Sequence, residues 1–393
     1  VGGDTSTLVA LGALFAFIKL LLVITLLGRS FEILGGVKLT EVELSILLRT
    51  ALEPLPIIFF LFTILPGDPA KMMLGQNQSA EQVEAVKKKY GFDKPIGTQF
   101  LYYLNDLSPV SFHSNNTEDY TFFSTNKYNA ARLFAIGNTT TVVKTPYLRE
   151  SFTKQGKKVT DVIGETIPNT FVLAVSAITI AIILGIVFGI ISALYRDTWI
   201  DKTIQVLSTF GMSVPSFFSA ILFAWLFGFV LHKYTNLEMT GSLYELDDFG
   251  EKMTIKWKNL ILPAIVLGIR PLAVVIQLMR NSLLDVMSQD YIRTARAKGL
   301  SEFNVIKNHA VKNALNPVVT AISGWFASML AGAVFVEYIF GWNGLGKEVV
   351  DALNTLDLPI IMGAVLVIAT TFILINILVD IIYGILDPKV RIR

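Results

Sequence analysis

Residues 285–317 read DVMSQDYIRTARAKGLSEFNVIKNHAVKNALNP, and their reading decides the fold. This is the longest well-patterned polar segment in the second half of the chain, and long apolar runs flank it on both sides. The pattern predicts two short helices with a turn between them. The first covers about residues 284–298 and ends at Gly299, a residue able to take the left-handed conformation of a helix C-cap. Ser301 stands as N-cap of the second, with Glu302 in the first turn, where the helix dipole favours an anion. In that second helix Phe303, Ile306, Ala310 and Ala314 share one stripe, joined by Val311 and Leu315, while Lys307, His309 and Lys312 lie off it. Pro317 disfavours helix at Asn316 and is expected to stop the element. Ala295, Ala297 and Gly299 keep the turn free of bulk, so that another protein's surface can approach the backbone.

Composition sets the surroundings. With 53% hydrophobic and 16% charged residues and a mean hydropathy of +0.57, the chain is not a soluble globular domain, and the bilayer is its first partner. A net charge of +2, spread along the sequence, gives no reason to expect nucleic acid. There is no cysteine, which excludes disulfides, thiolate catalysis and Cys-ligated metal. His113, His232 and His309 are scattered and form no metal-ligand spacing, so no metal site is expected.

Membrane spans are expected at residues 167–195, 204–231, 260–279, 318–340 and 359–386, each near the ~20 residues a bilayer core requires. Residues 44–65 make a poorer span, because Arg49, Glu53, Pro54 and Pro56 interrupt it. Residues 8–27 form a further apolar run; no basic stretch precedes it and no A-x-A site follows, so it reads as a membrane segment that is kept. Gly185 and Gly189 have the small-xxx-small spacing that permits close helix contact. The segments 196–202, 280–316 and 387–393 hold eleven Lys and Arg, against five in 232–258 and 341–358. The positive-inside rule places the first set in the cytoplasm and residues 66–166 outside. Within that outer region, residues 108–158 alternate polar and aromatic positions (Tyr120, Phe122, Phe123, Tyr128), which suggests short strands. The sequons at Asn115 and Asn138 read as chance matches.

The segment that opens this section resembles the EAA coupling loop of ABC-transporter permeases, above all those of the dipeptide/oligopeptide/nickel subclass, where QDYxRTARAKGL followed by HAxxNALxP is typical. Here the match runs from Gln289 to Leu300 and from His309 to Pro317, with Arg293-Thr294-Ala295 in place of the literal Glu-Ala-Ala. Pro66-Gly67-Asp68-Pro69-Ala70 matches a second element of the subclass, and the likeness covers residues 66–107 and 159–393. The resemblance implies an all-α polytopic membrane protein: a type I ABC-importer-like permease with six core transmembrane helices, an extra N-terminal helix if residues 8–27 span, and an extracytoplasmic insertion. Its parts would be N-terminal membrane segments (1–65), an extracytoplasmic region (66–166) carrying the insertion 108–158, and a core permease domain (167–393) with the coupling loop 285–316. The implied partners are a second homologous permease, two cytoplasmic ATPase subunits and an extracytoplasmic substrate-binding protein, in the inner membrane of a bacterium. ATP and Mg²⁺ would be bound by the ATPases, so this chain carries no cofactor and is not itself an enzyme. Asp290, Tyr291, Arg293, Thr294, Ala295, Arg296, Ala297, Lys298, Gly299 and Leu300 would make the ATPase-coupling surface. Di- or oligopeptides are the expected cargo, with nickel or another small solute as the alternative.

Other readings are weaker. Gly341 to Lys347 fits G-x-x-x-x-G-K, but Glu348 stands where a phosphate-binding loop has Ser or Thr, and the setting is a Gly-rich turn between two spans. Ser213 near His232 lacks an orienting acid for a membrane hydrolase, so no catalytic residue is expected. An ion-driven secondary transporter would show internal repeats or matching broken helices, and none is seen. Polar groups inside spans often serve transport. Arg270 and Glu337 are candidates for the pathway, with Asn376 and Asp380 as further intramembrane polar groups; Arg270 pairing with one of the acids is the structural alternative. Ser213, Pro215 and Ser216 are candidates because proline and serine free backbone carbonyls toward a cavity.

Overall fold

The computed structural model describes residues 53–64, 68–74, 79–117, 119–125, 127–247 and 251–386. The expected span at 8–27 and the first half of the span at 44–65 lie outside them. The chain divides into two compact units: residues 1–164 with 351–393, and residues 165–350.

The first unit opens with α1 (Pro54–Ile64), α2 (Pro69–Leu74), α3 (Ala80–Tyr90) and α4 (Ile96–Leu107). Ser79 and Gln82 form a reciprocal capping box that starts α3, with bonds of 3.1 and 3.2 Å. The alternation in 108–158 does produce strands. β1 (Val110–Ser114), β2 (Ala130–Ile136) and β3 (Thr139–Lys144) make an antiparallel sheet in the order β1-β3-β2. One face buries Phe123, Tyr128, Val142 and Tyr147, while Leu133, Phe134 and Ile136 of the edge strand β2 stay exposed. The sheet leans on α4 through Asn105, whose side chain accepts from Phe112 N at 3.0 Å and donates to Phe112 O at 2.9 Å. The last span, α16 (Leu358–Leu386), belongs to this unit. Asp357, fully buried just before it, accepts from Ser151 Oγ, Phe152 N (3.1 Å) and Thr153 N (3.0 Å). A carboxylate thus closes off the amides of the chain leading out of the sheet.

The second unit takes most of α5 (Val159–Leu194), then α6 (Trp199–Ser213), α7 (Ser216–Phe223) continuing as a π-helical stretch Ala224–Val230, and α8 (His232–Thr235). A small hairpin of β4 (Tyr244–Leu246) and β5 (Met253–Ile255) precedes α9 (Lys258–Met287). The segment expected to couple follows as α10 (Asp290–Ala297), α11 (Glu302–Asn304), a π-helical turn Val305–Ala310 and α12 (Val311–Ala314). α13 (Asn316–Gly332), α14 (Val334–Phe340) and α15 (Leu345–Thr355) complete the order. In lipid the gain from helix association comes from close contact rather than water exclusion. Gly185 and Gly189 of α5 supply it: a Cβ at either would lie 2.5 Å from Val275 or 2.6 Å from Met279 of α9.

Among the described residues three helices are long and apolar enough to cross a membrane, and five spans result if each bent pair counts as one. α1 is the described part of the expected sixth. The run 204–231 is not a straight span, because α6 and α7 meet at 108°. Pro215 explains the break: it has no N–H for the helix ladder, and Val214 before it is extended (φ −78°, ψ 130°). The run 318–340 is bent as well, by 55° between α13 and α14. Pro263 and Pro271, by contrast, stay inside an unbroken α9.

Candidate functional site

The segment 288–315 is held by a core beneath it. Ile292 and Ala295 of α10 point inward with Leu283, Val305, Ala310, Ala314 and Val318, and all seven are nearly or fully buried. Their i, i+3 spacing puts both inner residues of α10 on one side. The rest of the expected coupling surface faces out: Asp290, Tyr291, Arg293, Thr294, Arg296, Ala297, Lys298, Gly299 and Leu300 are exposed. Ala295 is the exception, since it packs under the helix and lies outside the surface expected of it. Gly299 has φ +79° with open space around its Cα, as the C-cap reading required.

Four details differ from the sequence reading. The first helix does not run from residue 284. Residues 284–287 finish α9, and the chain breaks at Ser288–Gln289 before α10. Ser301 occupies the N-cap position, but its side chain makes no cap bond. Arg296 grips Glu302 instead, at 2.6 and 3.1 Å, and that guanidinium holds the Glu302 carboxyl below its usual range. The element does end, at Ala314, but Pro317 does not keep Asn316 out of a helix. It sits in the first turn of α13, where its missing N–H would have been unpaired anyway. The π-helical turn also shifts the phase of the stripe, so Val305 is buried and Phe303 is left 70% exposed. Tyr291, Leu300 and Phe303 therefore stand as apolar groups among Arg293, Arg296, Lys298 and Lys307.

Just before this segment a buried ion pair clamps α9, which sequence reading missed. Arg280 donates Nε to Asp201 Oδ1 at 2.7 Å and Nη2 to Oδ2 at 2.6 Å. Asp201, 3% exposed, also accepts from Ser192 Oγ (2.5 Å) and from Asp197 N (3.0 Å). Every oxygen is used twice. The clamp joins α9 to α6 and to the end of α5. Its signal in the sequence was only one acid and one arginine at the rims of apolar runs.

The pathway candidates do not all converge. Ser216 and Arg270 line one cavity of about 140 Å³, together with Gly211, Val214, Trp325 and Ser328. Ser213 instead donates to Thr209 O at 2.8 Å, and Pro215 makes the bend. Arg270 forms no ion pair with a described residue; in particular it does not pair with Glu337. Glu337 is elsewhere and fully buried, accepting from Gly346 N (2.7 Å) and Lys347 N (3.2 Å) at the start of α15. A Cβ on Gly344 would come within 2.4 Å of that carboxylate. The Gly-rich turn that mimics a phosphate loop is thus wrapped around an acid of its own chain, whose carboxylate takes the amides a phosphate would need. Among the described residues no group of three His, Asp or Glu is placed to hold a metal.

Beside this geometry stand the comparisons with known proteins. Residues 185–392 match the family described as binding-protein-dependent transport system inner membrane component. Residues 45–118 match the N-terminal part of the binding-protein-dependent transport system membrane component. The di/tripeptide transport system permease protein DppB of Pseudomonas aeruginosa is 33% identical over 363 residues, covering 89% of this chain and 97% of that protein. The dipeptide transport system permease protein DppB of Alkalihalophilus pseudofirmus is 30% identical over 348 residues, covering 85% of this chain and 93% of that protein. Among solved structures, the inward-facing MetNI methionine ABC transporter aligns over 56% of this chain and 96% of its own at 12% identity, with a TM-score of 0.42.

Proposed function

This chain belongs to the inner-membrane components of binding-protein-dependent transport systems, as an ABC peptide permease and a multi-pass membrane protein, and from that premise we propose its role in a complete importer. It forms the translocation path for di- or oligopeptides in a bacterial inner membrane, beside a second, homologous permease. Two cytoplasmic ATPases bind ATP and Mg²⁺ and supply the hydrolysis, and an extracytoplasmic binding protein delivers the peptide.

The observation that carries this reading is the outward face of α10 with its left-handed Gly299 and apolar Tyr291, Leu300 and Phe303, a cationic and apolar surface built over a rigid core. It has the chemistry of a protein-docking face. Motion of the ATPases pushes α10, and α10 is joined to α9 by the two residues Ser288 and Gln289. Arg270 lies on α9 about 25 Å from its Met287 end at 1.5 Å per residue, on the wall of the 140 Å³ cavity. A displacement at the docking face therefore reaches the cavity through one helix, with the Arg280–Asp201 clamp fixing how α9 and α6 move together. This is alternating access driven from one end.

Gly299→Val tests the reading in the assembled transporter. A β-branched residue is strained at φ +79° and adds bulk at the docking face. ATP-driven uptake should fall at least tenfold with membrane insertion unchanged. Normal uptake would remove the coupling role.

A further inference from the structure

The first unit contains a second cavity that the transport reading does not use. Of about 60 Å³, it is walled by Phe59 of α1, Tyr103 of α4, Leu148, Arg149 and Phe152, and Met362 of α16. Its walls are mainly apolar, but two polar groups on them are incompletely used. Tyr103 is 5% exposed, and its hydroxyl is shut off from solvent with no hydrogen-bond partner among the described residues. Such a group loses its water on folding and gains nothing in return, unless something else accepts from it. Arg149 gives Nε to Asp106 at 3.1 Å, and no other hydrogen bond of its guanidinium to a described residue is formed. Its backbone is in the left-handed region, φ 70°, which an arginine occupies only under strain and which is often found at ligand clamps.

Among the described residues the charges around Arg149 do not cancel. Asp106, 1% exposed, is the acid it touches, and Tyr120 and Tyr128 also donate to that carboxylate at 2.6 and 3.3 Å. Lys144 donates to the Asp106 carbonyl, and Lys127 lies 3.8 Å from the centre of the Tyr120 ring. Glu150 is the further acid lining the small neighbouring cleft. Among the described residues three cations therefore face two carboxylates, and the unused edge of Arg149 is where an added negative charge is favoured.

We infer that this cavity binds a small carboxylate carrying a short apolar body, with the carboxylate on Arg149 and the Tyr103 hydroxyl and the body against Phe59, Phe152 and Met362. A guanidinium fork matches a carboxylate in shape as well as charge. A volume of 60 Å³ admits the end of a molecule rather than a long chain. Two sources have this chemistry: the C-terminal residue of an apolar peptide, and a short fatty acid.

The test uses the full chain in nanodiscs of phosphatidylcholine, which carries no carboxylate, and follows hexanoate by saturation-transfer NMR. Hexanoate should bind and hexanamide should not. Tyr103→Phe removes only an unpaired hydroxyl, so thermal stability should be kept or raised while hexanoate affinity falls roughly ten-fold or more, the range of a hydrogen bond to a charged group. Arg149→Lys keeps the charge but not the fork, and should weaken binding as well. Displacement of hexanoate by glycyl-leucine but not by glycyl-leucinamide identifies a peptide C-terminus as the source. Hexanoate binding that glycyl-leucine cannot displace identifies a fatty-acid carboxylate. No hexanoate binding, equal binding of hexanamide, or unchanged affinity in Tyr103→Phe would each overturn the site.

Discussion

Asp201 in the second unit and Asp106 in the first are both buried carboxylates held by an arginine, and they are finished differently. Asp201 takes both prongs of Arg280, with Ser192 Oγ and Asp197 N filling its remaining positions. Asp106 takes one prong of Arg149 and two tyrosine hydroxyls, while lysines crowd around it with no ion pair to a carboxylate among the described residues. The first cluster is closed and can only position helices. The second is open, with donor capacity left over at a cavity wall. A buried polar network that is fully satisfied fixes one geometry, whereas an unfinished one invites a ligand or titrates.

Breaking the closed cluster should have the largest effect. Asp201→Ala leaves Arg280, whose side chain is 18% exposed, without its acid, at a cost of about 3 kcal/mol, the low end for a buried pair. Thermal unfolding of the purified chain measures it, and Asp201→Leu with Arg280→Met should recover most of that loss. An Asp201→Ala variant as stable as the parent would mean that the clamp contributes no more than a surface pair.

The open cluster should show itself through pH. His113 is fully buried and accepts or donates only to Ser111 Oγ (2.8 Å) and Thr121 O (3.1 Å). Burial lowers its pKa from 6.5 to about 4, with Lys144 adding to the shift. Between those values the unfolded chain carries the extra proton, so stability should fall as pH drops from 6.5 to 4, by about 3 kcal/mol in all. Lys127 and Lys144 are lowered from 10.5 to about 8, again chiefly by burial. The same sign applies from pH 8 to about 9.5, where stability should rise, before Tyr103, Tyr120 and Tyr147, whose pKa values burial raises from 10, reverse the trend. A His113→Gln variant should lose the acid slope and keep the alkaline one. An unaltered acid slope would assign it to other groups.

The smallest effect is expected at the surface. Arg296 and Glu302 are both exposed, and Arg296→Ala should cost only about 0.5 kcal/mol of stability. Transport should nevertheless fall, because the pair stands on the face proposed to dock the ATPases. A variant that lost stability but kept transport would reverse that assignment.

The two units also differ in how far the sequence disclosed them. The coupling segment was legible because its signals are local: a helical stripe, a glycine after it, a charged outer face. Even there, the π-helical turn that turned Phe303 outward left no trace in a 3.6-residue pattern. The strands of 108–158 showed in their alternation, since period two is equally local. The polar clusters did not, because their partners lie 79 residues apart for Arg280 and Asp201 and 43 apart for Arg149 and Asp106. The break at Pro215 was marked by its proline, yet Pro263 and Pro271 carry the same mark inside a continuous helix. Packing decides which proline breaks, and one sequence does not reveal packing.

The central claim is that the segment after α9 faces the cytoplasm and seats an ATPase. The chain has no cysteine of its own, so Ser301→Cys adds a single reporter beside Gly299. A membrane-impermeant maleimide should label it in inside-out vesicles stripped of ATPases and not in right-side-out ones, and re-added ATPase subunits should protect it. Labelling from the outer face, or labelling that ATPases leave unchanged, would contradict the account.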